Sequence, residues 1–299
     1  MVSKRFLRPN TAMVRALLLL LAAAMLATPP ARASGPETVQ FQTLHRDRTM
    51  LRAFVMKPES DGPFPAILLL HGCSGPVTSK NVIAARERNW MNQFVADGYA
   101  VMLLDSFNPR GFSSICTKRN RPITAEKDRP YDAYAALRWL RSQPDVTADR
   151  VAIMGWSHGA MTALATISDA MIKEIGWSEP GFVTAVTFYP GCLELSKTRY
   201  KATVPLLMQL GEKDDWTPSR YCLRLADAVK KAGAPIEVDV YKGAYHAFDN
   251  PAGTVRERST SNTSGTRTVH VGRNAEAAVQ AMARTRAWFA AALKTPASP

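Results

Sequence analysis

Short apolar runs alternate with longer stretches of mixed polarity through most of this 299-residue chain. Continuous apolar runs of about four to eight residues are typical of strands that are covered on both faces of a parallel sheet. The pattern predicts such strands at 66–70, 100–104, 151–154, 182–189, 204–210 and 235–241. The stretches that follow these runs predict helices at 82–97, 131–142, 161–171, 221–233 and 275–293.

The first part of the pattern differs from the rest. Residues 39–44 and 50–56 are separated by a charged turn and predict an antiparallel hairpin. After it, strand and helix mostly alternate, which indicates a largely parallel, doubly wound α/β sheet. Two longer segments are predicted to be irregular. Residues 105–130 start at the carboxyl end of a central strand and are expected to shape a pocket, whereas the polar residues 249–273 are expected to be mobile.

Residues 1–33 have the pattern of a secretory signal peptide. Basic residues precede the apolar run 16–27, and Ala31-Arg32-Ala33 supplies a small-residue cleavage site. The run is too short to span a bilayer comfortably, so no stable membrane anchor is expected after cleavage. Met13 is an alternative start. The sequence therefore predicts export, most simply to the periplasm, and one domain at 34–299 whose 46% hydrophobic content supports a large core.

Charge and cysteine content refine this picture. The chain carries a formal net charge of +13, and loss of the five Lys and Arg residues of 1–33 leaves +8. The basic residues are dispersed and no nucleic-acid motif is present, so a solvated basic surface is favoured over an anionic macromolecular partner. The four cysteines of an exported chain predict two disulfides, for which three connectivities exist.

The stretch Gly155-Trp156-Ser157-His158-Gly159 stands between a predicted strand and a predicted helix. A serine on such a tight turn needs neighbours without side chains, and the helix behind it directs amides and a positive dipole toward developing negative charge. The stretch therefore predicts a nucleophile elbow. The alternative is an ordinary glycine-flanked turn.

A nucleophilic serine needs a base and an acid that orients the base. Among the five histidines, His246 follows a predicted strand at its carboxyl end and is the best base, with His270 second. Asp214 and Asp215 follow another strand and supply the acid, although either could simply cap the helix near Pro218.

An acyl-transfer serine also needs donors for the oxyanion of the tetrahedral intermediate. The turn after the strand 66–70 contains glycine in HGCSG. The backbone amide of Cys73, together with that of His158, is the candidate oxyanion hole.

The stretches LLLHGCSG, DSFNPRG, GWSHG, GEKDDWTP and GAYHAFDNP, within residues 66–251, resemble the successive motifs of the dienelactone hydrolase family in the α/β-hydrolase superfamily. The resemblance implies an α/β-hydrolase fold with a sheet of about eight strands and an antiparallel first hairpin. It implies Ser157 as nucleophile, His246 as base and Asp214 rather than Asp215 as acid. Founding members carry cysteine at the elbow, so the serine favours a broader esterase activity.

The same resemblance suggests further roles. Family members bind a substrate carboxylate with an arginine in the region of Arg110, for which the alternative is an arginine paired with a structural acid. Trp156 and Trp216 flank the elbow and the acid and are candidates for the pocket wall, with simple packing as the favoured alternative for each. Cys73 and Cys116 follow neighbouring strands at the active-site end and are expected to pair, as are Cys192 and Cys222.

The sequence thus predicts an exported serine hydrolase that cleaves a small ester or lactone, one that carries a carboxylate if Arg110 binds it, through an acyl-enzyme. No metal-binding motif is present, and no metal or organic cofactor is expected. Alternatives are a peptidase or acyl-transferase with the same residues, or a non-catalytic periplasmic binding protein of the same fold.

Overall fold

The computed structural model describes residues 35–262 and 265–294. The predicted signal peptide at 1–33, with its alternative start at Met13, lies outside the described residues. Within the described ranges, no helix is both long and apolar enough to cross a lipid bilayer.

A central sheet contains eight strands, as the resemblance implied. They are β1 (Glu37–Gln42), β2 (Met50–Met56), β3 (Phe64–Leu70), β4 (Ala100–Asp105), β5 (Val146–Trp156), β6 (Ala185–Phe188), β7 (Leu206–Gly211) and β8 (Ile236–Tyr241). Their order in the sheet is β1-β2-β4-β3-β5-β6-β7-β8. β2 pairs antiparallel with β1 and β4, and every other pairing in the sheet is parallel. The predicted hairpin and doubly wound α/β sheet are confirmed.

Helices follow most strands and cover the sheet. They are α1 (Ala85–Ala96), α2 (Arg129–Arg141), α3 (His158–Thr166), α4 (Asp169–Ile175), α5 (Ser219–Lys231) and α6 (Ala275–Leu293). The single helix predicted at 161–171 is wrong, because two helices occupy this stretch. Ser168 caps the second one, since its Oγ accepts the Met171 amide at 3.1 Å. A side-chain cap of this kind favours a new helix start over continuation.

The continuous apolar runs arise because both faces of the sheet are buried. Leu68, Leu70 and Met102 belong to a hydrophobic cluster on one face, whereas Ile67 and Leu69 belong to a cluster on the other. Alternate residues of one strand thus enter different clusters, so no polar position interrupts the run.

The prediction of an irregular segment at 249–273 is wrong for most of its length. A two-stranded antiparallel sheet, β9 (Arg256–Asn262) with β10 (Gly265–Val271), occupies it. We call these two strands the β9–β10 ribbon. Val269, Val271 and Thr260 are buried, but the other described positions are mostly polar because the ribbon lies outside the main sheet. Without an apolar run, the hydrophobic pattern did not indicate strands there.

Candidate active site

Ser157 lies at the turn between β5 and α3, as the elbow motif predicts. Its backbone has φ 51° and ψ −113°, a conformation that non-glycine residues rarely adopt. A Cβ at Gly155 would overlap the carbonyl of Gly159, and one at Gly159 would overlap the carbonyl of Leu70. Both positions therefore require glycine, and the strained turn presents the serine at the carboxyl end of the sheet.

Three predicted residues from three strand ends form one chain of hydrogen bonds. His246 Nε2 lies 3.0 Å from Ser157 Oγ, and His246 Nδ1 lies 2.8 Å from Asp214 Oδ2. Because the ionised carboxylate can only accept, Nδ1 carries the proton and Nε2 is free to accept from the serine hydroxyl. The arrangement can take up the serine proton as the oxygen attacks an electrophile.

Asp214 is fixed by the turn after β7. Its Oδ1 accepts the amides of Trp216 and Thr217 at 2.9 and 2.8 Å, and the Thr217 hydroxyl lies 2.9 Å from its Oδ2. The Asp214 side chain is only 1% exposed, yet each carboxylate oxygen has hydrogen-bond partners, so its charge is supported without an arginine or lysine. Sequence reasoning missed Thr217, although the Asp-x-x-Thr spacing before a helix is a recognisable signal for this turn.

The HGCSG turn after β3 lies against the serine. A Cβ built on Gly72 would lie 3.7 Å from Ser157 Cβ, so glycine permits this close approach. Cys73 and Ser157 line the same cavity, while His158 follows the serine at the first position of α3. The two candidate oxyanion donors are thus on segments that meet at Ser157.

A buried cationic cluster lies behind these two segments. His71 and His158 are 0% and 2% exposed, and Arg129 is 0% exposed. Burial, with the positive charge of Arg129, lowers the pKa of both histidines well below 6.5. Both rings are therefore neutral at neutral pH, and the remaining positive charge is that of Arg129.

Both predicted cysteine pairs are present as disulfides. Cys73 is bonded to Cys116 with Cα atoms 4.9 Å apart, and Cys192 is bonded to Cys222 with Cα atoms 5.0 Å apart. Cys73 and Cys116 both line the cavity at the serine, so the first disulfide is part of its wall. It ties the HGCSG turn to the irregular segment 105–130.

The cavity over the serine has a volume of about 310 Å³. Trp216 lines it, as predicted, and the Trp216 and Tyr189 rings pack on His246 with centroid distances of 4.7 and 4.6 Å. Aromatic rings of this kind exclude water from one side of the imidazole.

Trp156 does not line the cavity, so it is not a pocket residue, and the alternative of simple packing applies. Strand alternation turns its side chain away from the serine and into the core, where it is 0% exposed. Its indole N–H donates to Asp249 Oδ2 at 2.8 Å, which satisfies the one polar group of the ring.

Arg110 does not face the cavity either, which corrects its predicted role as a carboxylate ligand. Its guanidinium donates to both oxygens of Asp132 at 2.8 and 2.9 Å, and its Nε donates to Asp47 at 2.9 Å. With its carboxylate partners already within the protein, the group is a structural ion pair, the alternative that the sequence left open.

Three other arginines line the cavity and were missed: Arg86, Arg256 and Arg258. The Arg86 guanidinium forms an ion pair with the Glu87 carboxylate and donates to the Tyr189 hydroxyl at 3.2 Å. Burial alone would lower the pKa of Arg86, but the charge of Glu87 and its neighbours raises it. Arg258 lies over the Trp216 ring at 5.5 Å, and burial lowers the pKa of its guanidinium.

The β9–β10 ribbon is fastened at both sides of the cavity. On one side, the Thr260 hydroxyl donates to the Cys116 carbonyl at 3.1 Å. On the other side, Arg267 donates to the Trp216 carbonyl at 2.5 Å, and His270 is hydrogen-bonded to Asp215. His270, the second candidate base, therefore faces Asp215 from the ribbon and is not paired with Ser157.

Within the described residues, no group of three or more His, Cys, Asp or Glu side chains is placed to hold a metal ion.

Comparison with known proteins identifies a family whose sequence pattern this chain matches. The model of the dienelactone hydrolase family matches residues 51–293. The chain is 26% identical over 211 residues to a Bradyrhizobium protein named as a probable 2-oxo-3-(5-oxofuran-2-ylidene)propanoate lactonase, with 66% of this chain and 78% of the relative covered. It is 26% identical over 206 residues to esterase YpfH of Escherichia coli, with 66% and 82% covered.

Solved structures show the same fold. The dienelactone hydrolase-like promiscuous phosphotriesterase P91, from metagenomic libraries, superposes with a TM-score of 0.61 at 17% identity, over 87% of this chain and 99% of P91. At this identity the similarity concerns the architecture of strands and helices.

Proposed function

The chain belongs to the dienelactone hydrolase family and hydrolyses ester bonds, and on this basis we propose that it is a serine hydrolase that uses Ser157, His246 and Asp214 to cleave a carboxylic ester or lactone. The observation that carries the proposal is the hydrogen-bonded chain from Ser157 Oγ through His246 to Asp214, with the serine on a strained strand-to-helix turn. Two named relatives, a lactonase and an esterase, support an ester or lactone substrate.

In the proposed mechanism, Ser157 Oγ attacks the substrate carbonyl while His246 Nε2 takes the hydroxyl proton. Asp214 holds the imidazole and stabilises its positive charge. The amides of Cys73 and His158 stabilise the oxyanion of the tetrahedral intermediate. His246 then protonates the leaving oxygen, and an acyl-enzyme remains. Attack by a water, with the same proton transfers, releases the acid and regenerates the serine. For a lactone, acid and alcohol leave as one hydroxy acid.

We also propose that the substrate carries a negative charge. Arg256 and Arg258 enter the cavity wall from the β9–β10 ribbon, and no carboxylate of the described residues forms an ion pair with either of them. A guanidinium in a partly dehydrated wall is suited to bind a carboxylate. The Bradyrhizobium relative is named for a propanoate, which is an anion of this kind.

Ester hydrolysis is tested with p-nitrophenyl esters from acetate to octanoate and with a fluorophosphonate label. We expect the wild-type protein to hydrolyse at least the short esters and to be labelled, and Ser157→Ala to lose both properties. Ser142→Ala, at an exposed helix end, is the matched control and should retain both. Equal activity of Ser157→Ala and wild type would refute the assignment of the nucleophile.

We propose in addition that the protein is exported to the periplasm. The two disulfides of the described residues and the basic, apolar and small-residue order of 1–33 support this location. Expression of the full chain in a Gram-negative host, followed by N-terminal sequencing of the periplasmic fraction, tests it. We expect cleavage after Ala33, whereas an intact N-terminus in the cytosolic fraction would contradict the proposal.

A further inference from the structure

Arg129 is buried without a carboxylate partner. It is the first residue of α2 and is 0% exposed. Among the described residues, no Asp or Glu forms an ion pair with it. Asp132, one turn along the same helix, is instead occupied by Arg110 and by the Thr43 hydroxyl at 2.6 Å. The charges of Asp132 and Asp105 favour the charged guanidinium, but neither carboxylate is paired with it. A buried charge without a direct ion pair is costly, so stability alone does not explain why this position carries an arginine.

The contacts of Arg129 are concentrated on one atom. Its Nη1 donates to the carbonyl of His71 at 2.9 Å and lies 2.9 Å from Nδ1 of His158. The guanidinium also lies over the Phe107 ring at 5.1 Å. Its Nε and Nη2 have no hydrogen-bond partner in the described part of the chain. Two of the three guanidinium nitrogens are thus unsatisfied, so the position of Arg129 is not explained by the hydrogen bonds that the whole group makes.

The two partners of Nη1 belong to the two segments that meet at Ser157. The His71 carbonyl is in the peptide that leads into Gly72 and then Cys73. His158 carries the first amide of α3. A single nitrogen thus joins the turn after β3 to the first residue of α3, and these two segments carry the two amides to which we assign oxyanion stabilisation.

We propose that Arg129 is a positioning residue for the oxyanion hole: its guanidinium fixes the relative placement of the Cys73 and His158 amides and contributes positive charge behind them. This inference rests on the proposed function, because it assumes that an oxyanion forms at these amides. Preorganised donors stabilise charge without reorganisation at the moment of reaction, and the residues that orient such donors affect the rate without touching the substrate.

The hydrogen bond from Nη1 also fixes the state of His158. Since Arg129 can only donate, Nδ1 of His158 is the acceptor and the imidazole is neutral. A neutral ring contributes no second positive charge of its own. Of His71, His158 and Arg129, only Arg129 is therefore charged, and its guanidinium is held at a defined place by the two contacts of Nη1.

The test measures ground-state and transition-state interactions separately. KM and kcat for p-nitrophenyl butyrate are determined together with the inhibition constant of a trifluoromethyl ketone. Addition of the serine to this ketone gives a hemiketal whose oxygen occupies the oxyanion hole. The variants are Arg129→Met, Arg129→Lys and, as a control, Arg110→Met. Arg110 is a nearby, mostly buried arginine that contacts the same helix. Thermal unfolding of each variant is recorded, and rates are compared below the transition.

We expect Arg129→Met to lower kcat by about tenfold to hundredfold and to raise the inhibition constant of the ketone by a similar factor. KM should change less than about threefold. Arg129→Lys, which keeps a charged donor, should recover part of both losses. Arg110→Met should lower the unfolding temperature but leave kcat and ketone affinity within about threefold.

Two results would overturn the inference. One is an Arg129→Met protein that retains kcat and ketone affinity. The other is a set of losses that follow the unfolding temperature in all three variants, which indicates a general structural role. A wild-type protein with neither ester turnover nor serine labelling would instead refute the proposed function and the inference together.

Discussion

Asp215 accepts two hydrogen bonds from His270, one from the ring Nδ1 at 2.7 Å and one from the backbone amide at 2.9 Å. Its neighbour Asp214 is hydrogen-bonded to a different histidine, His246. Two adjacent carboxylates of the same turn therefore serve different partners. One belongs to the hydrogen-bonded chain that ends at Ser157, and the other fastens the β9–β10 ribbon.

This difference predicts unequal effects of two conservative substitutions. Asp214→Asn should lower kcat for p-nitrophenyl butyrate by about a thousandfold to ten-thousandfold, because an amide can no longer hold the imidazole in the correct tautomer. Asp215→Asn should change kcat less than about fivefold, since its pair with His270 is two-fifths exposed on both sides. A larger loss in Asp215→Asn than in Asp214→Asn would reverse the assignment.

The features that could be predicted from the sequence are those that depend on a few neighbouring residues. The elbow at Ser157 is a strand, a glycine-flanked turn and a helix in succession, and each part is visible over a few residues. Asp214 and Asp215, in contrast, have the same local setting, and only the resemblance to a family separated them. Their distinct partners, His246 and His270, lie more than thirty residues away, with separations of 32 and 55.

Side-chain partners distant in sequence explain why the roles suggested for Arg110 and Trp156 were not confirmed. Arg110 bonds Asp132, 22 residues away, and Trp156 bonds Asp249, 93 residues away. Nothing near either residue reveals that its polar group is already satisfied inside the protein. Arg258 was missed for the converse reason, because it reaches the cavity on a ribbon whose polar sequence did not indicate strands.

The second prediction concerns substrate charge. Arg258→Ala should raise KM for an ester with a carboxylate on the acyl chain, such as p-nitrophenyl hemisuccinate, by about tenfold, equivalent to about 1.4 kcal/mol of binding. KM for neutral p-nitrophenyl butyrate should change less than about twofold. Arg141→Ala, at a surface ion pair with Glu179, is the control and should leave both constants unchanged. Equal effects on the charged and neutral esters would rule out recognition of charge by Arg258.

The third prediction separates the two disulfides. Replacing either pair by serine should lower the free energy of unfolding by about 3–4 kcal/mol, because they close loops of similar length, with separations of 43 and 30 residues. Only Cys73→Ser with Cys116→Ser should also lower kcat. Cys73 lies in the turn beside Ser157, and the Cys116 carbonyl anchors the ribbon, whereas Cys192 and Cys222 belong to the hydrophobic core.

Urea unfolding and ester hydrolysis of the two double variants measure these effects, with activity recorded under conditions in which each protein is folded. Equal kcat in both variants would show that the disulfide in the cavity wall does not support the site.

The last prediction is a loss of stability in mild acid. Burial and the charge of Arg129 lower the pKa of His71 and His158 well below 6.5 in the folded protein, and Arg86 and Arg121 add to the effect on one ring each. Below pH 6.5 the unfolded chain therefore binds protons that the folded protein does not. The free energy of unfolding should fall as pH falls through this range, by up to about 1.4 kcal/mol per pH unit for each histidine.

Urea unfolding between pH 5 and 7.5 measures this slope. His71→Asn, which removes one titrating ring, should reduce the slope between pH 5 and 6.5 by about one proton relative to wild type. Ser157→Ala keeps both rings and serves as the control with an unchanged slope. The contradicting result is that His71→Asn and wild type lose stability in parallel as pH falls. The His71 ring would then take up a proton in the folded protein as readily as in the unfolded chain. The buried cationic cluster would in that case not exclude a second charge.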